Sequence, residues 1–154
     1  MIMKKNILFY ISCLLLVTGS VWAQDIAPKD VPEAITASFS AKYPDATEVK
    51  WKKNKSGKFE ADFRQSGKKA EAKFMADGTW DSADKRIDAK DLPETVSSYL
   101  QKNYASHKID QIEWKEDRDA SKNVYEVKLK KDKSEIELVF NADGKFLKKK
   151  DNKK

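Results

Sequence analysis

The chain has 154 residues, 36% of them charged, and a formal net charge of +6 at pH 7. It holds one cysteine and one histidine, which excludes a disulfide scaffold, a thiolate metal centre and most imidazole-based acid–base or metal chemistry. Its length suits one compact domain, or two small repeats fused on one core.

Residues 1–23 read as a secretory signal peptide. Lys4 and Lys5 form the positive start, Ile7 to Val17 the apolar run, and Val21-Trp22-Ala23 the cleavage site. A transmembrane anchor is the alternative, but the run is short against the roughly 20 residues of a span. Cys13 raises a lipoprotein reading, against which Tyr10 occupies the usual aliphatic position. Cleavage after Ala23 leaves 131 residues without cysteine and, with Lys4 and Lys5 gone, a net charge of +4. The remaining lysines are interleaved with Glu and Asp, the pattern of a solvated surface. With a secreted address, no nucleic-acid partner is expected, and no integral membrane segment after cleavage.

Gln24 to Lys29 reads as a short leader. Asp30 then looks like a helix N-cap, with Glu33 closing a capping box and Pro32 in the first turn. Ile35, Phe39 and Tyr43 form an apolar stripe that Pro44 ends. The period then changes to two. Val49 and Trp51, then Phe59, Ala61 and Phe63, then Ala70, Ala72 and Phe74, alternate with charged residues, as in strands with one buried face. Asn54 to Gly57, Ser66-Gly67 and Asp77-Gly78 are the turns, and a fourth extended stretch begins at Trp80. The same order returns. Asp91, Pro93 and Glu94 start a second helix with the stripe Leu92, Val96, Leu100 and Tyr104. Ile112-Trp114, Tyr125-Val127-Leu129, Ile136-Leu138-Phe140 and Phe146 onward are strands. Lys148 to Lys154 reads as a frayed basic tail.

The repetition is direct. Lys29-Asp30-Val31-Pro32-Glu33 returns as Lys90-Asp91-Leu92-Pro93-Glu94 at an offset of 61. Trp51 returns as Trp114, and Phe74 and Asp77-Gly78 as Phe140 and Asp143-Gly144. The expectation is an α+β fold of two tandem repeats, 24–88 and 89–150, followed by a tail at 151–154. Each repeat is one helix followed by a three- to four-stranded antiparallel sheet, with the helices covering one sheet face. The two copies can share a continuous sheet whose other side is open to water.

These markers resemble the PepSY-like proteins exported by gut and related Gram-negative bacteria. The Val/Leu-Pro-Glu helix start, Tyr43-Pro44, the Val-x-Trp at Val49 to Trp51 and the Asp-Gly turn before an aromatic carry the resemblance across residues 30 to 150. The second copy departs at Ala105, where the family pattern often has proline. The resemblance implies the tandem-repeat architecture of the secreted beta-lactamase inhibitor protein. It also implies a periplasmic module that binds or restrains another protein, and it brings no catalytic residue.

Candidate sites are few. Trp51 and Trp114 share strand parity with Val49 and Ile112 and read as core; Trp80 is a candidate anchor. His107 reads as an exposed, idle imidazole in a polar loop. The Asp-Gly pairs read as hairpin turns, since a calcium loop needs several oxygen ligands at alternate positions. Glu60 and Glu126 recur at matched positions and suggest a carboxylate pair, which neighbouring lysines would neutralise. The reading is a periplasmic, non-enzymatic module without cofactor or metal. Its protein partner in the cell envelope would dock on the open sheet through Lys50, Glu60, Lys73, Lys128, Lys130 and Glu137. The alternatives are a small-ligand carrier, with a cleft between the copies, and a passive envelope scaffold.

Overall fold

The computed structural model describes residues 24–152; residues 1–23, read above as a signal peptide and including Cys13, lie outside the described residues. In chain order the elements are β1 (Gln24–Ile26), α1 (Glu33–Lys42), β2 (Thr47–Lys53), β3 (Phe59–Gln65), β4 (Lys68–Phe74) and β5 (Trp80–Arg86). There follow α2 (Glu94–Tyr104), β6 (Lys108–Asp117), β7 (Val124–Lys131), β8 (Ser134–Asn141) and β9 (Phe146–Asn152). The nine strands form one antiparallel sheet in the order β1 to β9, each strand beside its neighbours in sequence.

The sheet is larger than the three to four strands per copy expected. The leader is itself a strand, with Ile26 paired to Trp51 at the edge. The copies are zipped together where Ser82–Arg86 of β5 pair with Glu113–Asp117 of β6. At the far end β9 pairs with β8 as far as Asn152, so Lys148 to Asp151 belong to a strand and not to a frayed tail. Lysine-rich edges of this kind also discourage edge-to-edge association.

Both helices begin later than the capping pattern suggests. Asp30 and Asp91 end short 3-10 turns, Pro28–Asp30 and Ala89–Asp91. Pro32 and Pro93 are the N-caps, with extended backbone (ψ 139° and 143°), and neither helix has a side-chain cap. The reciprocal carboxylate bonds of a capping box do form in the second copy, but they close the 3-10 turn between Asp88 and Asp91. A proline disfavours helical backbone in the residue before it, which pushes helix entry past the aspartates.

Two apolar clusters fill the space between helices and sheet. Ile35, Phe39 and Tyr43 pack on Trp51, Phe63 and Phe74 in the first. Val96 and Leu100 pack on Ile112, Val127, Leu138 and Phe140 in the second. Each helix is pinned by a hairpin tip. The β4–β5 and β8–β9 turns place Gly78 and Gly144 at φ +88° and +80°, the left-handed position that suits glycine in this hairpin type. A Cβ on Gly78 would lie 2.7 Å from the Ala34 carbonyl oxygen, and one on Gly144 would collide with Thr95 Oγ1. The Asp-Gly pairs are thus hairpin turns and also the seats of the helix N-termini.

The two copies differ at their tryptophans. Trp51 is buried (6% exposed), beside Ala61 across the strand pair. Trp114 is only half-buried. Its cross-strand neighbours are Tyr125 and Lys85, and its ring lies against Tyr125 at 4.4 Å. A bulky partner on one side and a lysine on the other hold it at the seam, outside the second core cluster.

Candidate interaction face

The sheet face away from the helices is a lattice of charge. Period-two alternation puts every second side chain on it, and antiparallel register sets opposite signs near one another. In the first copy Lys52 Nζ lies 2.5 Å from Asp62 and 3.8 Å from Glu60. Lys73 Nζ lies 2.6 Å from Glu71 and 3.9 Å from Glu60. At the seam Lys115 reaches Asp84 at 3.1 Å, Glu126 at 3.3 Å and Glu113 at 3.7 Å, tying β5, β6 and β7 together. At the far end Lys150 reaches Glu137 at 2.5 Å and Glu126 at 3.6 Å.

Titration directions follow these contacts. Burial, then the like charge of Glu71, pushes the Glu60 carboxyl up, against the pull of Lys73 and Lys52. Burial pulls the Lys73 ammonium down, but Glu71, Glu60 and Asp84 carry it above its ordinary value. Lys115 is raised in the same way by Asp84, Glu126 and Glu113 against its own burial. These are charges held in place by their neighbours.

The six residues expected to meet a partner fall into two groups. Glu60 and Lys73 are half-buried inside the first network, and Glu137 is buried (7% exposed) beneath Lys150. They build the face and do not project from it. Lys50 and Lys130 are exposed, and Lys128 is half-buried. Across the strands Lys50 faces Asp62 and Lys128 faces Glu137, but Lys52 and Lys150 take those carboxylates. Among the described residues neither Lys50 nor Lys128 is in an ion pair. Lys130 is exposed and pairs with Asp110 at 2.8 Å.

Other expectations change. Glu60 and Glu126 sit on β3 and β7, four strand spacings or about 19 Å apart, so they are not a carboxylate pair. The acidic neighbours of Glu60 are Asp62 and Glu71, whose carboxylate oxygens gather within 4.8 Å. The ammonium groups of Lys52 and Lys73 already bridge that trio. His107 is half-buried, its ring edge-on to Tyr104 at 5.2 Å, and its Nδ1 is buried without a hydrogen-bond partner among the described residues. Trp80 is half-buried and donates its Nε1–H to the Tyr43 hydroxyl at 3.0 Å, with Lys42 Nζ 4.4 Å above its ring. A cleft between the copies, expected only with the small-ligand alternative, lies at the repeat junction around Arg86, and sequence patterning did not single out its lining. Its signal was the break in alternation at Ile87-Asp88, where β5 leaves the sheet.

The family model described as "Putative beta-lactamase-inhibitor-like, PepSY-like" matches residues 20–65 and 57–148. No curated protein matches the chain. Among solved structures, a BLIP-like protein from Bacteroides fragilis NCTC 9343 is 23% identical. It aligns over 80% of this chain and 89% of its own, with a TM-score of 0.68. A DUF2874 family protein from Bacteroides ovatus ATCC 8483 is 22% identical, with 78% and 86% covered and a TM-score of 0.67. A structure from Bacteroides eggerthii DSM 20697 described as of "putative periplasmic proteins" is 16% identical, with 79% and 88% covered and a TM-score of 0.69. At these identities the shared property is the fold. Among the described residues, no helix is long and apolar enough to cross a membrane.

Proposed function

Since the chain belongs to the PepSY-like, beta-lactamase-inhibitor-like family, we propose that it is a periplasmic, non-enzymatic module that binds an envelope or secreted protein on its open sheet face. Inhibition or restraint of an enzyme is the form of binding that the family description suggests. The observation that carries the reading is the asymmetry of the sheet. One face is sealed by two helices. The other is broad, built on hydrogen-bonded strands, and studded with charges fixed by their neighbours. A fixed charge pattern steers encounter and selects orientation more than it adds affinity. Such a face needs little ordering when a partner arrives, which limits the entropic cost of docking.

Lys50 and Lys128 are the residues to reverse, because among the described residues neither is tied up in an ion pair. Lys73 is not, since a carboxylate there would join Glu60 and Glu71. Cross-linking in the cells that make the protein, followed by identification of the adduct, supplies the partner. Lys50→Glu combined with Lys128→Glu should then slow association by about tenfold at low salt, with the gap closing as salt screens the field. An unchanged association rate, together with loss of binding from substitutions on the outer helix surfaces, would place the partner on the other side and overturn the reading.

A further inference from the structure

The two copies do not meet flush. β5 leaves the sheet after Arg86, yet its neighbours run on. β4 extends two residues, Lys68 and Lys69, beyond its pairing with β5, and β6 begins at Lys108, five residues before its own. The missing stretch of strand leaves a cleft of about 530 Å³ at the end of the sheet. That volume lies within the range of small-ligand sites, roughly 300–1,000 Å³.

The lining of this cleft has two parts. Ile87, Ile112 and Ala89 give it an apolar wall. Ile109 adds to that wall and is 44% exposed, one of two large apolar side chains left in solvent among the described residues. The rest is charged, and most of that charge is already spent. Asp88 is held by Lys68, Asp110 by Lys130, and Arg64 by Glu48. Two cations remain without a carboxylate among the described residues, Lys69 on β4 and Arg86 on β5, at neighbouring positions next to the Ala70–Lys85 pair. Arg86 is aimed as well as free. Its Nη2 donates to Gln111 Oε1 at 2.5 Å, and Gln111 Nε2 in turn donates to Glu113 Oε1 at 2.5 Å. A guanidinium positioned by a neutral amide keeps its other N–H donors available for a planar anion.

We propose that this junction cleft binds a carboxylate carried on an aliphatic body, with Arg86 and Lys69 on the carboxylate and Ile87 and Ile109 on the chain. Two sources share that chemistry, a free aliphatic acid and the C-terminal carboxylate of a peptide ending in an aliphatic residue. The site is independent of the open-face reading and needs no partner protein to test.

The test is a backbone-amide NMR titration of the protein with octanoate, with octanamide, and with a short peptide ending in leucine as free acid or as amide. Saturable shifts should concentrate at Arg86, Ile87, Ile109 and Gln111. Octanamide and the peptide amide should bind at least about tenfold more weakly than their acids, the worth of a charge-assisted pair. Arg86→Gln with Lys69→Gln should weaken octanoate by a similar factor. Ile109→Ser, at an exposed position outside both cores, should weaken it without altering the fold. Lys55→Gln, in the exposed β2–β3 turn at the other end of the sheet, should leave it unchanged. Stronger binding of octanoate identifies a free acid as the source, and stronger binding of the peptide acid identifies a chain terminus. The proposal is overturned if neither acid gives saturable shifts, if acid and amide bind alike, or if Lys55→Gln weakens binding as much as the double variant.

Discussion

At the scale of single residues, glycines give the sharpest test of the packing. Gly57 and Gly78 have nearly the same backbone, φ +81° and +88°, but a Cβ on Gly57 meets nothing within 4 Å, whereas one on Gly78 meets the Ala34 carbonyl at 2.7 Å. Gly57→Ala should therefore cost only the left-handed conformation, about 1–2 kcal/mol. Gly78→Ala adds a backbone collision that cannot be relieved by rotating a side chain, and should cost clearly more. Urea denaturation of the two variants measures the difference, and equal costs would mean that the turn does not seat the helix. Tyr43 supplies a pH test. Burial raises its hydroxyl from 10.0 to about 12, partly offset by the hydrogen bond from Trp80. The folded state holds this proton more tightly than the unfolded one. Its contribution is thus fully present below pH 10 and is lost as pH rises from about 10 to 12. Stability should fall across that window, and Tyr43→Phe should flatten part of the fall. An identical alkaline profile for the variant would show that Tyr43 is not the group responsible.

Among the elements, the seam between β5 and β6 is the joint that decides how the copies hold together. Lys115 is its central charge, with carboxylates from β5, β6 and β7 around it. Lys115→Met keeps the stem but leaves three like charges facing one another. A loss of about 1–2 kcal/mol is expected, below the figure for a fully buried pair because the site is partly solvated. The loss should shrink in high salt, as thermal melts at two ionic strengths would reveal; a salt-independent loss would point to packing. How much of this was legible depended on range. Alternation exposed β3, β4 and β7 because each carries three matched apolar positions. The stripes Ile35-Phe39-Tyr43 and Val96-Leu100-Tyr104 exposed both helices for the same reason. Entry into the helices was misread, since the aspartates that look like caps close 3-10 turns before the prolines. β1 was unreadable: three residues, Gln24-Asp25-Ile26, carry no period, and only the open edge at Trp51–Lys53 makes them a strand. Lys50 and Lys128 were placed on the right face by parity. Their freedom was not readable, because it depends on diagonal neighbours taking the carboxylates opposite them. A cleft between the copies was an alternative reading, but the residues that line it were hidden because it arises from where a strand stops.

For the molecule as a whole, the two cores are separate clusters joined through strand pairing and surface charge. Injury to one should therefore spread incompletely to the other. Trp51→Ala should cost about 3–5 kcal/mol. Hydrogen exchange should show lost protection concentrated in β1 to β4, with the amides of Val127 and Leu138 retaining more of theirs. Uniform loss along the chain would indicate a single cooperative unit. The strand order has a kinetic consequence too. Every strand pairs with the one before it and the one after it in sequence, so no contact in the sheet waits for a distant segment to return. A nine-stranded sheet whose strands are joined by hairpins, except where α1 and α2 intervene, should fold faster than sandwiches of similar size, whose pairings are non-local. A chain delivered from its N-terminus can close the cluster around Phe39 and Phe74 before Val96 or Phe140 has arrived. The second half then grows onto a finished template, one hairpin at a time.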